Sequence, residues 1–106
     1  MGDWRAALER FTAELRDLYG QRLDSIILYG SRARGEGGPE SDVDTLIVLN
    51  PLGDFWEEFG RISPIASRVS LDYDVVISAI PAGLKEYSEA GSPLILNVRR
   101  EGMRVS

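Results

Sequence analysis

The chain has 106 residues, with 12 Lys and Arg against 17 Asp and Glu and a formal net charge of −5. It contains neither Cys nor His, which excludes a thiolate nucleophile, a zinc finger, a disulfide framework and a Ser-His-Asp triad. The acidic balance argues against a broad nucleic-acid-binding face. The length predicts a single domain over residues 1–106, and the lack of a long apolar run predicts a cytoplasmic protein without a membrane span.

An amphipathic helix is predicted over roughly residues 4–19. Apolar side chains recur there with helical spacing, and charged side chains occupy the other positions. Asp3 can cap the start of this helix and Gly20 can end it.

Two short apolar segments predict buried strands, at residues 25–29 and 43–49. The first ends at Gly30. Residues 31–42, between the two strands, are rich in Gly and charged residues, which predicts a loop.

Beyond the second strand, Asp54 can cap a second helix that continues to about Ile65, with Pro64 bending it or starting a new turn. Residues 71–78 are interpreted as a third strand, followed by short helices near 83–90 and from Ser92. The order α-β-β-α-β-α-α predicts an α/β (α+β) fold in which helices flank a small mixed β-sheet.

The acidic pair Asp42 and Asp44 is the first candidate for chemistry. Alternate strand residues share a face, so the two carboxylates project together. They repel each other unless a cation lies between them, and carboxylate oxygens are the ligands that Mg²⁺ prefers. If the pair stood alone, two solvated side chains beside a turn would be the simpler interpretation.

The loop before this pair has features that suit a phosphate. Gly30 would let a ligand approach the backbone, and Ser31 adds a hydroxyl where a helical turn could begin. Arg32 and Arg34 flank the turn. Their guanidinium groups either contact phosphate oxygens or pair with the loop carboxylates of Glu36 or Glu40.

A third carboxylate is expected on the third predicted strand, where Asp72 and Asp74 share a face. Either one could join Asp42 and Asp44 if the strands are neighbours. Three carboxylates and the substrate phosphates could then hold two Mg²⁺ ions about 3.5–4 Å apart, the arrangement used for in-line displacement at phosphorus.

Two motifs in this region resemble the signature of the DNA polymerase β-like nucleotidyltransferases. They are G-S-x-x-x-G from residue 30 and S-D-x-D from residue 41, followed by a hydrophobic strand. Residues 30–49 are similar to the minimal nucleotidyltransferases, or MNT proteins, of the MntA-like antitoxin type. The similarity extends over nearly the whole chain, but its specific part is confined to residues 30–49.

The resemblance implies Mg²⁺-dependent transfer of a nucleoside monophosphate, AMP above all, from ATP or another NTP to a hydroxyl, with release of pyrophosphate. It assigns Gly30 and Ser31 to the nucleotide phosphates, and Asp42 and Asp44 to catalytic metal. It favours Asp74 as the third catalytic metal ligand, since the family's third carboxylate precedes hydrophobic strand residues. Thr45 departs from the family pattern, which usually has an apolar residue there.

The resemblance also implies a partner, because minimal nucleotidyltransferases are commonly antitoxins that adenylylate a tyrosine of a HEPN-type toxin. Phe55 and Trp56 are expected docking points, and homo- or hetero-oligomers both stay open. Two alternatives are a non-catalytic module that neutralises its partner by occlusion, and transfer to a small molecule such as an aminoglycoside.

Overall fold

The computed structural model describes residues 2–38, 41–89 and 91–106. Helices and strands follow one another along the chain in this order: α1 (Trp4–Tyr19), a 3₁₀ turn (Gly20–Arg22), β1 (Leu23–Tyr29), β2 (Val43–Leu49), α2 (Phe55–Tyr73), β3 (Ile77–Gly83), α3 (Leu84–Glu89), α4 (Pro93–Glu101) and β4 (Met103–Arg104). No helix in the described ranges is long and apolar enough to cross a membrane.

The four strands form one sheet in the order β3-β2-β1-β4. β1 runs antiparallel to β2 and to β4, whereas β3 runs parallel to β2 after the crossover through α2. The predicted small mixed sheet is therefore confirmed. The short strand β4 was not anticipated, because two exposed residues carry little strand signal.

Helices cover both faces of the sheet. On one face, α1 and α2 pack against strand residues such as Ile26, Val43 and Ile47. On the other face, residues of α4 pack against Leu46 and Val48. Since alternate residues of a strand point to opposite faces, Asp44 belongs to the second face.

The first helix has the predicted bounds and cap. The Asp3 side chain accepts hydrogen bonds from the backbone N–H groups of Arg5 and Ala6, both at 3.1 Å. The chain leaves the helix at Gly20 with φ of +58°, a conformation that glycine adopts without a steric penalty. The cap residues at both ends of this helix therefore follow from the sequence alone.

The second helix is longer than predicted, and the third strand begins later. α2 starts at the predicted cap, where the Asp54 carboxylate accepts from the N–H of Glu57 at 2.9 Å, but it continues through Pro64 to Tyr73. The prediction of a strand over 71–78 holds only for Ile77 and Ser78. Residues 71–73 instead continue α2, because buried side chains at helical spacing hold that helix on the sheet: Ile62, Ala66 and Val69. The strand that does form includes Pro81, which an edge position tolerates.

A buried carboxylate, Glu58, connects α2 to the end of α1 and to the 3₁₀ turn that follows it. Its two oxygens accept hydrogen bonds from the Tyr19 hydroxyl at 2.8 Å and from Arg22 Nη2 at 2.9 Å. Burial raises the pKa of Glu58, but these hydrogen bonds and the charges of Arg22 and Arg61 outweigh burial and hold the pKa below its ordinary value. Burial and the bond to Glu58 in turn raise the pKa of Tyr19. The carboxylate is thus fully compensated.

Candidate active site

The Gly30 turn and the Asp44 carboxylate are in direct contact. Gly30 follows β1 with φ of +75°, and a Cβ atom placed on it would lie 2.5 Å from Asp44 Oδ2. Asp44 is paired with Tyr29 across β1 and β2. Only glycine leaves room for the carboxylate at this point, so the structure brings Gly30 and Asp44 into contact.

The two carboxylates of the acidic pair influence each other. Asp44 is half-buried and Asp42 is exposed. Burial, and secondly the negative charge of Asp42, raise the pKa of the Asp44 carboxyl. Burial and the charge of Asp44 likewise raise the pKa of Tyr29. Neither aspartate forms an ion pair within the described part of the chain, so the negative charge here is uncompensated.

The loop after Gly30 folds back as a single turn. The Gly30 carbonyl accepts from the N–H of Arg34 at 3.3 Å, and the Ser31 carbonyl accepts from the N–H of Glu36 at 2.9 Å. Ser31 is half-buried beside the half-buried Gly30. The turn therefore holds Gly30 and Ser31 next to the strand end that carries Asp44.

Arg32 points into the protein instead of toward open solvent. Its guanidinium lies 5.1 Å from the centre of the Trp4 ring, and its Nη2 donates to the Ser41 carbonyl at 3.1 Å. Its Nε is buried and has no hydrogen-bond partner among the residues that the structure describes. In this conformation Arg32 fastens the loop to α1 and to the start of β2.

Arg34 forms an ion pair with Glu36, one of the two interactions that the sequence allowed for it. Its Nε lies 2.8 Å from Glu36 Oε2, and its Nη1 lies 2.9 Å from Glu101 Oε2 on α4. Glu40, the other expected partner, lies outside the described residues. A phosphate contact by Arg34 would have to compete with both carboxylates.

Asp74 lies at the end of α2, not on a strand. It occupies the C-cap position with φ of +54°, and its N–H donates to backbone carbonyls of the last turn. Within residues 2–38, 41–89 and 91–106, no three Asp or Glu side chains are grouped to hold a metal ion. The structure therefore brings Asp42 and Asp44 together but does not gather Asp74 with them. Asp72, the other candidate, lies in the last turn of α2.

The donor set suits one divalent cation bound together with a nucleotide. Mg²⁺ is commonly held by one or two carboxylates and by substrate phosphates, which complete its shell. Asp42 and Asp44 supply two carboxylates whose mutual repulsion a cation would relieve.

Two β3 features near the site were missed, because the strand was placed too early in the sequence. Ser78 is the parallel neighbour of Asp44. The Thr45 hydroxyl donates to the Ser78 carbonyl at 2.9 Å, which explains how a polar residue is accommodated in the core.

The predicted docking residues lie at the other end of the molecule. Phe55, Trp56 and Phe59 form an aromatic cluster with ring centres 5.0–6.0 Å apart, and Trp56 is 75% exposed. They begin α2, which follows the end of β2 opposite to the one that carries Asp44.

This fold occurs in known nucleotidyltransferase structures. A solved structure entitled "Structure of putative minimal nucleotidyltransferase" superposes with a TM-score of 0.57 at 22% identity, over 95% of this chain and 94% of that one. A toxin–antitoxin structure with AMP-PNP gives a TM-score of 0.63 at 20% identity, over 92% of this chain and 72% of that one. These matches establish the fold of a minimal nucleotidyltransferase.

The sequence comparisons establish the family. Residues 8–100 match the nucleotidyltransferase domain family. Two relatives from Methanocaldococcus jannaschii are named "Putative protein adenylyltransferase MJ0141" and "Putative protein adenylyltransferase MJ0604". The first is 41% identical over 69% of this chain and 73% of its own length, and the second is 40% identical over 70% and 68%. The chain belongs to the nucleotidyltransferase domain family, an enzyme family whose substrate is a nucleoside triphosphate.

Proposed function

We propose that this enzyme transfers AMP from ATP to a tyrosine hydroxyl of a partner protein, and that the partner is a HEPN-type toxin which the transfer neutralises. Two relatives at about 40% identity are named as protein adenylyltransferases, and one similar fold comes from a toxin–antitoxin complex. The observation that carries the proposal is the Asp42–Asp44 pair directly above the Gly30 turn.

In the proposed reaction the tyrosine oxygen forms a bond to the α-phosphorus of ATP, and the bond from that phosphorus to the bridging oxygen breaks. The tyrosine proton leaves to solvent and pyrophosphate departs. Gly30 and Ser31 hold the nucleotide phosphates against the turn, while Asp42 and Asp44 provide the negative charge that binds metal. Arg32 and Arg34 contact phosphate only after leaving Trp4 and the carboxylates of Glu36 and Glu101.

Asp42 and Asp44 would hold Mg²⁺ together with the nucleotide. The bound cation supplies positive charge against the phosphates and the leaving pyrophosphate. Asp74 stays our candidate for a third catalytic carboxylate and for a second metal. That role requires the turn at residues 74–76 to bring its side chain toward the pair.

The test is a transfer assay with a HEPN-type toxin from the source organism as acceptor. Wild-type enzyme, ATP and Mg²⁺ should add the mass of one AMP to a tyrosine of the acceptor, as measured by peptide mass spectrometry. Asp42→Asn should bind the acceptor but add no AMP, because it removes charge without removing core volume. EDTA should abolish transfer by the wild type.

A second candidate is neutralisation by occlusion without catalysis. It is favoured by one observation, that Asp74 is not grouped with Asp42 and Asp44. In this case wild type and Asp42→Asn would protect cells from the toxin equally, with no modified tyrosine. AMP transfer to an aminoglycoside with every protein left unmodified would instead support a small-molecule acceptor.

A further inference from the structure

A groove with a mainly aliphatic lining lies where α2 ends and β3 begins. It has a volume of about 460 Å³ and is lined by Leu71, Val75, Val76 and Ile77, together with the polar residues Ser67, Ser70 and Asp74. Two of these side chains are strongly exposed for apolar residues, Leu71 at 84% and Val76 at 56%. A pair of exposed aliphatic side chains beside a groove is typical of a surface that another molecule covers.

The groove adjoins the acidic pair. The Val76 carbonyl accepts a hydrogen bond from the N–H of Val43 at 2.8 Å, and Val43 is opposite Ile77 in the parallel register. Asp42 is the residue before Val43, so it lies beside Val76, at about the 4.8 Å spacing of neighbouring strands. The aromatic cluster is much farther away, since Trp56 and Leu71 are separated by 15 helical residues, or about 22 Å.

The charge around the groove is negative. The last turn of a helix favours basic residues, because its free carbonyl groups carry partial negative charge. The last turns of α1 and α4 include Arg16 and Arg99 respectively, whereas the last turn of α2 has no basic residue. It carries Asp72 instead, which forms no ion pair with any residue that the structure describes.

The nearest arginine on the same helix does not compensate this charge. Arg68 is paired with Glu14 of α1. A ligand for the groove would therefore combine an apolar side chain for Leu71 and Val76 with a positive charge for the helix end, where Asp72 lies just outside the groove lining.

We propose that this groove docks the acceptor segment of the protein partner, and that the segment places an aliphatic side chain and an Arg or Lys close to the tyrosine that is modified. The inference rests on the proposed function, since it assigns the recognition surface of that same site. Its position beside Asp42 lets a docked segment present a hydroxyl to the acidic pair.

The experiment compares two synthetic tyrosine peptides of equal length with the full-length enzyme, ATP and Mg²⁺. One peptide has Leu and Arg near the tyrosine, and the other has Ser and Glu at those positions. The wild type should modify the Leu-Arg peptide with a kcat/KM about tenfold higher, the size expected of one good anchor. The preference should weaken in 0.5 M salt, because exposed charges are screened.

Variants of the enzyme show which of its residues cause the preference for the Leu-Arg peptide. Leu71→Ser should raise the peptide KM about tenfold, with kcat and the KM for ATP unchanged. Asp72→Asn should reduce the contribution of the arginine alone. Matched controls are Trp56→Ser, an exposed apolar residue on the same helix, and Asp17→Asn, an exposed aspartate near the end of α1. Both should keep the wild-type preference.

Other outcomes overturn the inference in distinguishable ways. If both peptides are modified equally, or if Trp56→Ser removes the preference and the groove variants do not, the docking surface is wrong while the proposed function stands. If the groove variants change only the mass of the enzyme in solution, measured by light scattering, the groove binds a second copy. If neither peptide nor the HEPN-type acceptor gains AMP, the proposed function fails and this inference fails with it.

Discussion

Asp44 and Glu58 are both carboxylates removed from bulk water, and they differ in what surrounds them. Glu58 is 3% exposed and accepts hydrogen bonds from Tyr19 and Arg22, so its pKa is held down. Asp44 has Asp42 as its charged neighbour, and its pKa is raised by burial and by that charge. Glu58 is therefore stabilised as an anion by its partners, whereas the acidic pair carries unfavourable charge, which is common at functional sites.

The largest effect is expected when the uncompensated carboxylate is neutralised. Asp44→Asn should lower nucleotidyl transfer by at least about 100-fold, because the site loses half of its charge for metal. Thermal stability should stay equal or rise, since the repulsion by Asp42 disappears. Pyrophosphate release and a melting curve measure the two quantities. Full activity in this variant would show that the acidic pair is not catalytic.

Neutralising Glu58, whose charge is compensated, should lower stability and leave activity unchanged. Glu58→Gln should lower the free energy of unfolding by about 2 kcal/mol, because Arg22 loses a charged hydrogen-bond partner in a buried site. Activity should be retained where the variant is folded. Glu57→Gln is the matched control on the same helix. Its ion pair with Arg61 is exposed, so urea denaturation should show a change within about 0.5 kcal/mol.

The glycine beneath Asp44 offers a way to disturb the pair without changing a charge. Gly30→Ala should cost about 1–2 kcal/mol for its positive φ, and its methyl group should push the Asp44 carboxylate away and lower activity. Gly35 also has a positive φ, of +72°, but a Cβ there meets no atom of the described residues within 4 Å. Gly35→Ala should therefore lose stability with a smaller loss of activity. Equal activity losses in the two variants would mean that the contact with Asp44 is unimportant.

The two carboxylates should also respond oppositely to pH. The depressed pKa of Glu58 gives stability that is present above the ordinary glutamate value of 4.5 and is lost as pH falls through the folded-state pKa. The raised pKa of Asp44 destabilises the fold at neutral pH, and this penalty disappears as pH falls from its folded-state pKa toward 3.8. Urea denaturation between pH 7 and 3.5 should thus bring both Glu58→Gln and Asp44→Asn toward the wild type, the first from below and the second from above.

The smallest effect concerns Asp72, a carboxylate outside the acidic pair that also forms no ion pair with any described residue. Asp72→Asn should raise the free energy of unfolding by about 0.3–1 kcal/mol, since a negative charge near the end of a helix is unfavourable. Asp17→Asn, in the last turn of α1 beside Arg16, should change stability less. Chemical denaturation at low ionic strength measures both. An unchanged or lower stability of Asp72→Asn would mean that its charge is already compensated.

The sequence predicts well where the signal is local, and poorly where tertiary packing decides. The caps at Asp3 and Asp54 and the bounds of β2 follow from side-chain chemistry and apolar runs. The end of α2 could not be predicted from such local signals. Residues 71–73 suit a strand by composition, but they continue a helix that is already held by its buried face.

The candidate site shows the same division. The pairing of Arg34 with Glu36 could be expected from their closeness in the loop, and it is seen. The contact of Gly30 with Asp44 depends on how β1 pairs with β2. The position of Arg32 on Trp4 depends on how α1 packs against the loop, which no local pattern reveals. Because the third strand begins later than predicted, Asp74 caps the end of α2 and does not lie on a strand.

The stacking of Arg32 on Trp4 has a consequence for spectroscopy. The chain has two tryptophans, and the ring of Trp4 lies within 4.5 Å of the Arg5 guanidinium and 5.1 Å of that of Arg32. Because Arg32 belongs to the turn that follows Gly30, any movement of this turn changes the surroundings of the indole. Trp56 is largely exposed and reports on solvent, so Trp56→Phe isolates the other signal. Trp4 is a built-in optical reporter of the loop, and its emission can follow nucleotide binding without an attached dye.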